Sequence, residues 1–187
     1  MVEIYFATKN PEKIQICDIA LEGTKIEIVV RDPKLPEIQD DNVARIAIFS
    51  AKCASEILKA NTIKIDSGLF IEALGGFPGP YSAYVENRLT STQILNLLES
   101  EPNRKAFYQE ALAYCPYGGN PVVFEAYTFG NISLKKEGNF GNVYDKIFMV
   151  KGDTKTMAHY PDQERVAKYS QDHWRQLVTY LQNSLYL

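Results

Sequence analysis

Polar side chains that could bind phosphate follow the first apolar run of the sequence. In ATKNPEK, residues 7–13, a predicted strand leads into a predicted helix, with Asn10 as a plausible N-cap and Pro11 at the first helical position. The N-terminus of a helix favours anions because its backbone N–H groups and dipole face outward. Thr8 and Asn10 add short donors, and Lys13 adds a positive charge. The plain alternative is that Asn10 only caps the helix and Lys13 is a solvated lysine.

Two carboxylates further along could hold a divalent cation beside those phosphates. Asp66 follows the apolar run TIKI and precedes Ser67 and a Gly/Pro-rich segment, and Glu37 lies in the loop KLPEIQDD. Carboxylate and phosphate oxygens suit Mg²⁺, which prefers oxygen ligands. Asp66 has an alternative role as a turn cap through an Asx hydrogen bond. Asp40 and Asp41 are competing candidates for the role of Glu37 as a metal ligand. Glu37 could instead be an ordinary solvated acid of the loop.

The elements that must position these residues alternate between strands and helices. A strand at Ile63–Asp66 would end at Asp66, and a long helix would carry Lys52 opposite its apolar stripe, where periodicity alone predicts a surface lysine. The predicted strands are Val2–Ala7, Ile26–Val30, Ile63–Asp66, Ala106–Cys115, Pro121–Asn131 and Tyr144–Val150. One predicted helix starts at Pro11. Three others span Asn42–Lys59, Asn87–Leu98 and Gln163–Leu181.

This order predicts an α/β fold with a mixed sheet in two lobes, because a β-α-β-α-β part precedes strands separated by Gly/Asn clusters. The length of 187 residues fits a single domain, residues 1–187. A net charge of -3 disfavours nucleic-acid binding, and no apolar run is long enough to span a membrane. The start MVEIYFATKN does not resemble a signal peptide. Three cysteines without CxxC pairs indicate reduced thiols in a cytoplasmic protein.

Three motifs together resemble the inosine triphosphate pyrophosphatase (Ham1-like) family. They are TxNxxK at Thr8–Lys13, LPEIQ followed by a helix carrying AKCA around Lys52, and DSGLFIEALGGFPGPYSAY from Asp66. The likeness spans nearly the whole chain. It implies hydrolysis of non-standard purine nucleoside triphosphates such as ITP, dITP and XTP to the monophosphate and pyrophosphate. It also implies an elongated mixed β-sheet flanked by helices, with a central cleft between two lobes, and a homodimer.

The resemblance assigns roles residue by residue. Thr8, Asn10 and Lys13 would cradle the triphosphate, and Ser67 would contact the substrate. Glu37 and Asp66 would hold Mg²⁺, with Asp66 also the general base. Lys52 would neutralise phosphate charge. The base would be recognised by the remaining candidates, Phe140, Tyr144, Asp145, Arg165, His173 and Arg175.

The sequence departs from the family pattern at three places. Ile65 stands where relatives commonly carry a first acid before DSG. In GNVYDKIF, Asn142 replaces the aromatic that would stack on the base, although Phe140 could substitute. The Ser-His-Arg run is broken, and its scattered remnants would be Ser170, His173 and Arg175.

These departures leave alternatives open. His173 lies on an apolar stripe, as a core histidine would, and Arg175 lies opposite that stripe, as a solvated arginine would. A pyrophosphatase with altered base specificity and a nucleotide-binding protein without catalysis are the two alternative functions. The triphosphate half of the pattern is nearly intact, so the reaction type follows more directly than the base preference.

Overall fold

The computed structural model describes residues 2–185, with side chains for residues 3–184. Its strands are β1 (Val2–Ala7), β2 (Ile26–Arg31), β3 (Thr62–Ile71), β4 (Pro78–Gly79), β5 (Lys105–Cys115), β6 (Val122–Ile132) and β7 (Phe148–Val150). Its α-helices are α1 (Pro11–Leu21), α2 (Val43–Leu58), α3 (Ser82–Glu86), α4 (Ser91–Asn96), α5 (Asp162–Val166) and α6 (Asp172–Leu185). The strands are hydrogen-bonded in the order β2-β1-β3-β5-β6-β7, and β4 pairs with β3. The predicted mixed α/β fold is confirmed.

The chain divides into two compact units. Unit 1 comprises the residues up to Asp66, Glu110–Ala126 and the residues from Gln171 onward. Within it β1 pairs in parallel with both β2 and β3, as helical connections between strands require. Helix α1 packs against α6. The rings of Phe6 and Trp174 meet edge to face at 5.7 Å, and both side chains are fully buried in the core of this unit.

Unit 2 comprises Ser67–Gln109 and Tyr127–Ser170. Within it β3 pairs antiparallel with β4, and β6 pairs antiparallel with β7. Its core gathers apolar side chains from strands, helices and loops, namely Leu69, Ile71, Val85, Ile94, Leu98, Ala106, Ile132, Tyr144, Ile147, Phe148 and Met157.

Strand β3 corrects the prediction that a strand ends at Asp66. The strand continues to Ile71, so Asp66 is its fifth residue and not a turn residue. Gly68 permits a close approach rather than a tight turn, because a Cβ atom there would collide with the carbonyl oxygen of Gly79 on β4. The glycine thus allows β4 to pair with β3 at Leu69 and Phe70.

Three other predicted elements differ from the structure. The helix expected over Gln163–Leu181 is interrupted between α5 and α6, where the Ser170 backbone N–H donates to Thr128 Oγ1 at 2.8 Å and cannot continue a helix. The strand expected over Tyr144–Val150 begins only at Phe148, because the backbone N–H groups of Ile147 and Phe148 both donate to the Tyr144 carbonyl in a turn. Helix α4 is shorter than predicted and starts at a capping box formed by Thr90 and Gln93.

Two predictions from composition, on membrane spans and on the cysteines, can be compared with the structure for the described residues. None of their helices is both long and apolar enough to cross a membrane. The three cysteines, Cys17, Cys53 and Cys115, form no disulfide within this part of the chain, and their reduced state stays a prediction.

Candidate functional site

The predicted phosphate loop of unit 1 is a well-ordered helix start. The backbone N–H of Thr8 donates to the Arg31 carbonyl at 2.9 Å, and Thr8 Oγ1 accepts from the Asn10 backbone N–H at 3.1 Å. Asn10 Oδ1 accepts from the backbone N–H groups of Glu12 at 2.9 Å and Lys13 at 3.4 Å. The predicted N-cap is confirmed. The expectation of unoccupied N–H groups in this turn is wrong, because the short Asn10 side chain reaches two of them.

Lys13 connects this helix start to the strand that carries Asp66. Its Nζ donates to the backbone carbonyl of Ile65 at 2.9 Å, and the side chain is half-buried. The contact brings the ammonium group of Lys13 to the residue directly before Asp66, although Lys13 and Asp66 are far apart in sequence. Two of the residues assigned to phosphate and metal binding are therefore brought to the same part of unit 1.

Lys64 is a charged residue of this region that the sequence analysis did not single out. It lies two residues before Asp66 on β3, so the two side chains leave the strand on the same face. Burial and the charge of Lys13 lower the pKa of Lys64, while the nearby carboxylates of Asp32, Glu37 and Asp66 oppose that shift. The two-residue spacing from Asp66 was the available sequence signal for Lys64.

The two predicted metal ligands both affect the pKa of Lys64. Glu37 and Asp66, at distant sequence positions, both act on its ammonium group. Among residues 3–184 no group of three or more His, Cys, Asp or Glu side chains has the arrangement of a metal site. Mg²⁺ commonly uses only one or two carboxylates together with substrate phosphates. Two carboxylates are a donor set that suits Mg²⁺, and their binding of the ion stays a prediction.

Lys52 of helix α2 makes its contacts elsewhere in unit 1. Its Nζ donates to the Gly119 carbonyl at 2.9 Å, and it lies 3.5 Å from Glu56 Oε1 one turn along the helix. The side chain is 38% exposed, in agreement with the surface lysine that periodicity predicted. A role for Lys52 in phosphate binding stays a prediction, and it requires the ammonium group to exchange these two partners.

Two of the residues assigned to base recognition, Asp145 and Arg165, belong to a connected network in unit 2. Asp145 is buried, and its Oδ2 accepts from the Asn142 backbone N–H at 2.9 Å and lies 3.4 Å from Nε of the buried Arg165. Tyr169 donates its hydroxyl to Asp145 Oδ1 at 3.3 Å. Arg165 also donates from Nη1 to Asp162 Oδ1 at 2.9 Å. The structure thus brings Asp145 and Arg165 together, and it adds Tyr169 and Asp162, which the sequence analysis missed.

The turn before Asp145 explains what Asn142 does in place of an aromatic residue. Asn142 Oδ1 accepts from the backbone N–H groups of Tyr144 at 2.9 Å and Asp145 at 3.1 Å, so the side chain caps the turn. The ring of Phe140 is 45% exposed, as stacking on a base would require. Tyr144 is buried and donates its hydroxyl to the Ser82 carbonyl at 2.7 Å, and burial raises its pKa.

The remaining three candidates, His173, Arg175 and Ser67, differ in burial and in hydrogen-bond partners. His173 of α6 is fully buried, and neither ring nitrogen has a hydrogen-bond partner among the described residues. Burial, with repulsion from Lys13, lowers the pKa of His173 to about 4, so the ring is neutral. Arg175 is exposed and pairs with Asp172 at 2.7 Å. These surroundings favour a core histidine and a solvated arginine, and their roles in base recognition stay predictions. Ser67 is half-buried in β3, directly after Asp66.

Comparisons with known proteins agree with the motifs. The model of the Ham1 family matches residues 4–176. A dITP/XTP pyrophosphatase of Methanopyrus kandleri is 41% identical over 164 residues, which is 88% of this chain and 87% of that protein. A dITP/XTP pyrophosphatase of Thermococcus kodakarensis is 34% identical over 88% of each chain.

Solved structures give the same result for the fold. A HAM1 protein from Coxiella burnetii superposes with a TM-score of 0.84 at 25% identity, over 98% of this chain and 100% of that one. The Staphylococcus aureus Ham1 protein superposes with a TM-score of 0.81 at 27% identity, over 97% and 98%. The resemblance read from the motifs is confirmed, and the chain belongs to the Ham1 family.

Proposed function

We propose that this protein hydrolyses ITP, dITP and XTP to the nucleoside monophosphate and pyrophosphate, and thereby removes non-standard purine nucleotides from the nucleotide pool. The observation that carries the proposal is the Lys13 ammonium group, which is held on the Ile65 carbonyl beside Asp66. Relatives up to 41% identical over most of the chain are named dITP/XTP pyrophosphatases.

The residues of unit 1 have complementary tasks in this reaction. Lys13 and Lys64 bring positive charge to the phosphate oxygens, and Thr8 and Asn10 orient the triphosphate from the start of α1. Asp66 accepts a proton from the water molecule that attacks the α-phosphorus. Mg²⁺, which Glu37 and Asp66 would hold, supplies further charge neutralisation at the phosphate oxygens.

Base specificity is the part of the proposal with a competing candidate. Discrimination against ATP requires groups that hydrogen-bond the 6-keto oxygen, because an amino group at that position then leaves buried polar groups unpaired. Asn142 is used as a turn cap, and His173 is buried with a neutral ring. These two observations favour a pyrophosphatase with altered base specificity as the second candidate function.

We predict that purified protein with Mg²⁺ releases pyrophosphate from ITP and XTP with a kcat/KM about 100-fold above that for ATP. Pyrophosphate release from ITP, dITP, XTP, dUTP, GTP and ATP measures this ratio. EDTA should abolish the release, and excess Mg²⁺ should restore it. Equal values for ATP and ITP would establish the altered-specificity candidate instead. No release from any of these nucleotides would establish a binding protein without catalysis.

We also propose a homodimer in the cytoplasm, supported by an aromatic surface on unit 2. The rings of Phe107, Tyr127 and Phe129 lie within 6.0 Å of one another, and Phe107 stacks on Phe70 at 5.2 Å. Tyr127 is 40% and Phe129 57% exposed. Adjacent exposed aromatic side chains are typical of protein interfaces. The cytoplasmic location is supported by the three cysteines, which form no disulfide, because the cytoplasm is a reducing compartment.

We predict that Phe129→Asp converts the dimer to a monomer, because a charge would have to be buried in the aromatic interface. Light scattering coupled to gel filtration measures the mass. Leu134→Asp is the matched control, since Leu134 is 86% exposed and lies outside this surface. A wild-type protein that elutes as a monomer at micromolar concentration would contradict the proposed dimer.

A further inference from the structure

Glu110 is a buried acid in unit 1 that the mechanism above does not use. It begins a run of six buried residues at the end of β5, which continues to Cys115. Only 9% of its surface is exposed. Placing a carboxylate in such surroundings is unfavourable unless another charge compensates it. The positively charged group nearest to Glu110 in its electrostatic effect is therefore the residue on which Glu110 would act.

Lys13 supplies part of that compensating charge. Burial raises the pKa of Glu110 to about 7, the ammonium group of Lys13 opposes this shift, and Glu12 adds to it. Lys13 is also in electrostatic reach of His173 on α6, which stays neutral, and of Lys64 on β3, which carries the same sign of charge. The groups that act on Glu110 itself are Lys13 and Glu12, both on α1.

The strand geometry separates Glu110 from the proposed metal ligands. Phe70 of β3 and Phe107 of β5 stack, so these two residues share one face of two neighbouring strands. Alternation along each strand then places Asp66 on the face of Phe70, and Glu110 on the opposite face together with Ile65. Glu110 therefore shares the face of Ile65, whose carbonyl oxygen accepts from Lys13, and it does not extend the pair of metal ligands on the face of Asp66.

We propose that Glu110 is a positioning residue of the triphosphate site, whose carboxyl group governs how much positive charge Lys13 presents to the phosphates. This inference rests on the proposed role of Lys13 in binding the triphosphate. With Glu110 protonated, Lys13 meets the phosphates with its full charge. With Glu110 ionised, the ammonium group is shared with a carboxylate, and the carboxylate repels the phosphates. Binding of the triphosphate therefore draws a proton from solvent onto the Glu110 carboxylate.

The test compares the binding of inorganic triphosphate with Mg²⁺ to wild type, Glu110→Gln and Asp18→Asn between pH 6 and pH 8.5, by isothermal titration calorimetry. One pH unit above its pKa, only about a tenth of an acid is protonated. We expect the wild-type Kd to rise about tenfold across this range relative to that of Glu110→Gln. Asp18→Asn removes an exposed acid from α1 and should follow the wild type. Calorimetry in buffers of different ionisation enthalpy should show proton uptake that Glu110→Gln lacks.

A second measurement reports on Glu110 without any substrate. A folded-state pKa near 7 lies above the ordinary value of 4.5, so ionisation of Glu110 opposes folding as pH rises. Between about pH 4.5 and pH 7, the folded-to-unfolded ratio of wild type relative to Glu110→Gln should therefore fall about tenfold per pH unit. Urea unfolding at several pH values measures this ratio and shows whether the variant folds.

The outcomes distinguish this inference from the proposed function. Parallel pH profiles for wild type and Glu110→Gln, in a protein that hydrolyses ITP and binds triphosphate, would overturn the role of Glu110 and leave the function standing. A wild-type protein that neither binds triphosphate nor hydrolyses ITP would overturn both. A wild-type profile that differs from that of Glu110→Gln, with proton uptake seen only in wild type, supports the inference.

Discussion

Replacing Asp66 by asparagine should lower the kcat for ITP about 1000-fold while leaving the fold intact. Asparagine has nearly the same shape as aspartate but lacks the negative charge and cannot accept a proton from water. The substitution also removes one of the three carboxylates that act on the Lys64 ammonium group, so the negative charges there no longer outnumber those of Lys13 and Lys64. Steady-state pyrophosphate release measures the loss of activity, and circular dichroism with urea unfolding measures the fold.

The matched control for this variant is Asp41→Asn. Asp41 is an exposed acid of the loop that also contains Glu37, and it competed with Glu37 as a metal ligand on sequence grounds. Its replacement should change kcat less than twofold, which would also favour Glu37 over Asp41. An Asp66→Asn protein with a kcat within tenfold of wild type would refute the assignment of Asp66 as general base.

Replacing Gly141 by alanine should destabilise the protein by about 3 kcal/mol. Gly141 has a φ of +68°, and a Cβ atom there would lie within 3 Å of the buried Asp145 carboxylate. That carboxylate cannot withdraw without breaking its hydrogen bond from the Asn142 backbone N–H and moving away from Arg165. Urea unfolding measures the change in the free energy of unfolding.

Gly75→Ala separates the steric effect from the backbone effect. Gly75 has nearly the same φ, +64°, and also lies in unit 2, but no atom lies within 4 Å of a Cβ built there. Only the left-handed backbone conformation is then unfavourable, so we expect a loss of about 1 kcal/mol. Equal losses for the two variants would show that the contact between Gly141 and Asp145 does not constrain the turn.

The fold was predictable from the sequence wherever local chemistry determined the element. The Asn10 cap and the long helix α2 follow from short-range patterns. The continuation of β3 beyond Asp66 was not predictable in this way, because Ser67 and Gly68 are typical of turns. The strand nevertheless continues through them to Leu69 and Phe70, which pair with Gly79 and Pro78 of β4.

The candidate site was predictable where motifs mark it and not where burial determines the chemistry. Asp66 and Lys13 are conspicuous in the sequence, and the structure brings Lys13 to the residue before Asp66. Glu110 gives no local signal, since a single glutamate in a strand is ordinary until its surroundings are known. The role of Asn142 was equally hidden in the sequence, because its side chain caps a turn whose backbone conformation is known only from the structure.

The anchor of Lys13 bears on how freely position 65 can change during evolution. Lys13 binds the backbone carbonyl of Ile65, and every amino acid at that position supplies the same carbonyl oxygen. Exchange of an acid for isoleucine there leaves the hydrogen bond in place and allows the side chain to be buried, with 4% exposed. The placement of the lysine is thus insensitive to the identity of its neighbour, which allows that neighbour to diverge while Lys13 keeps its position.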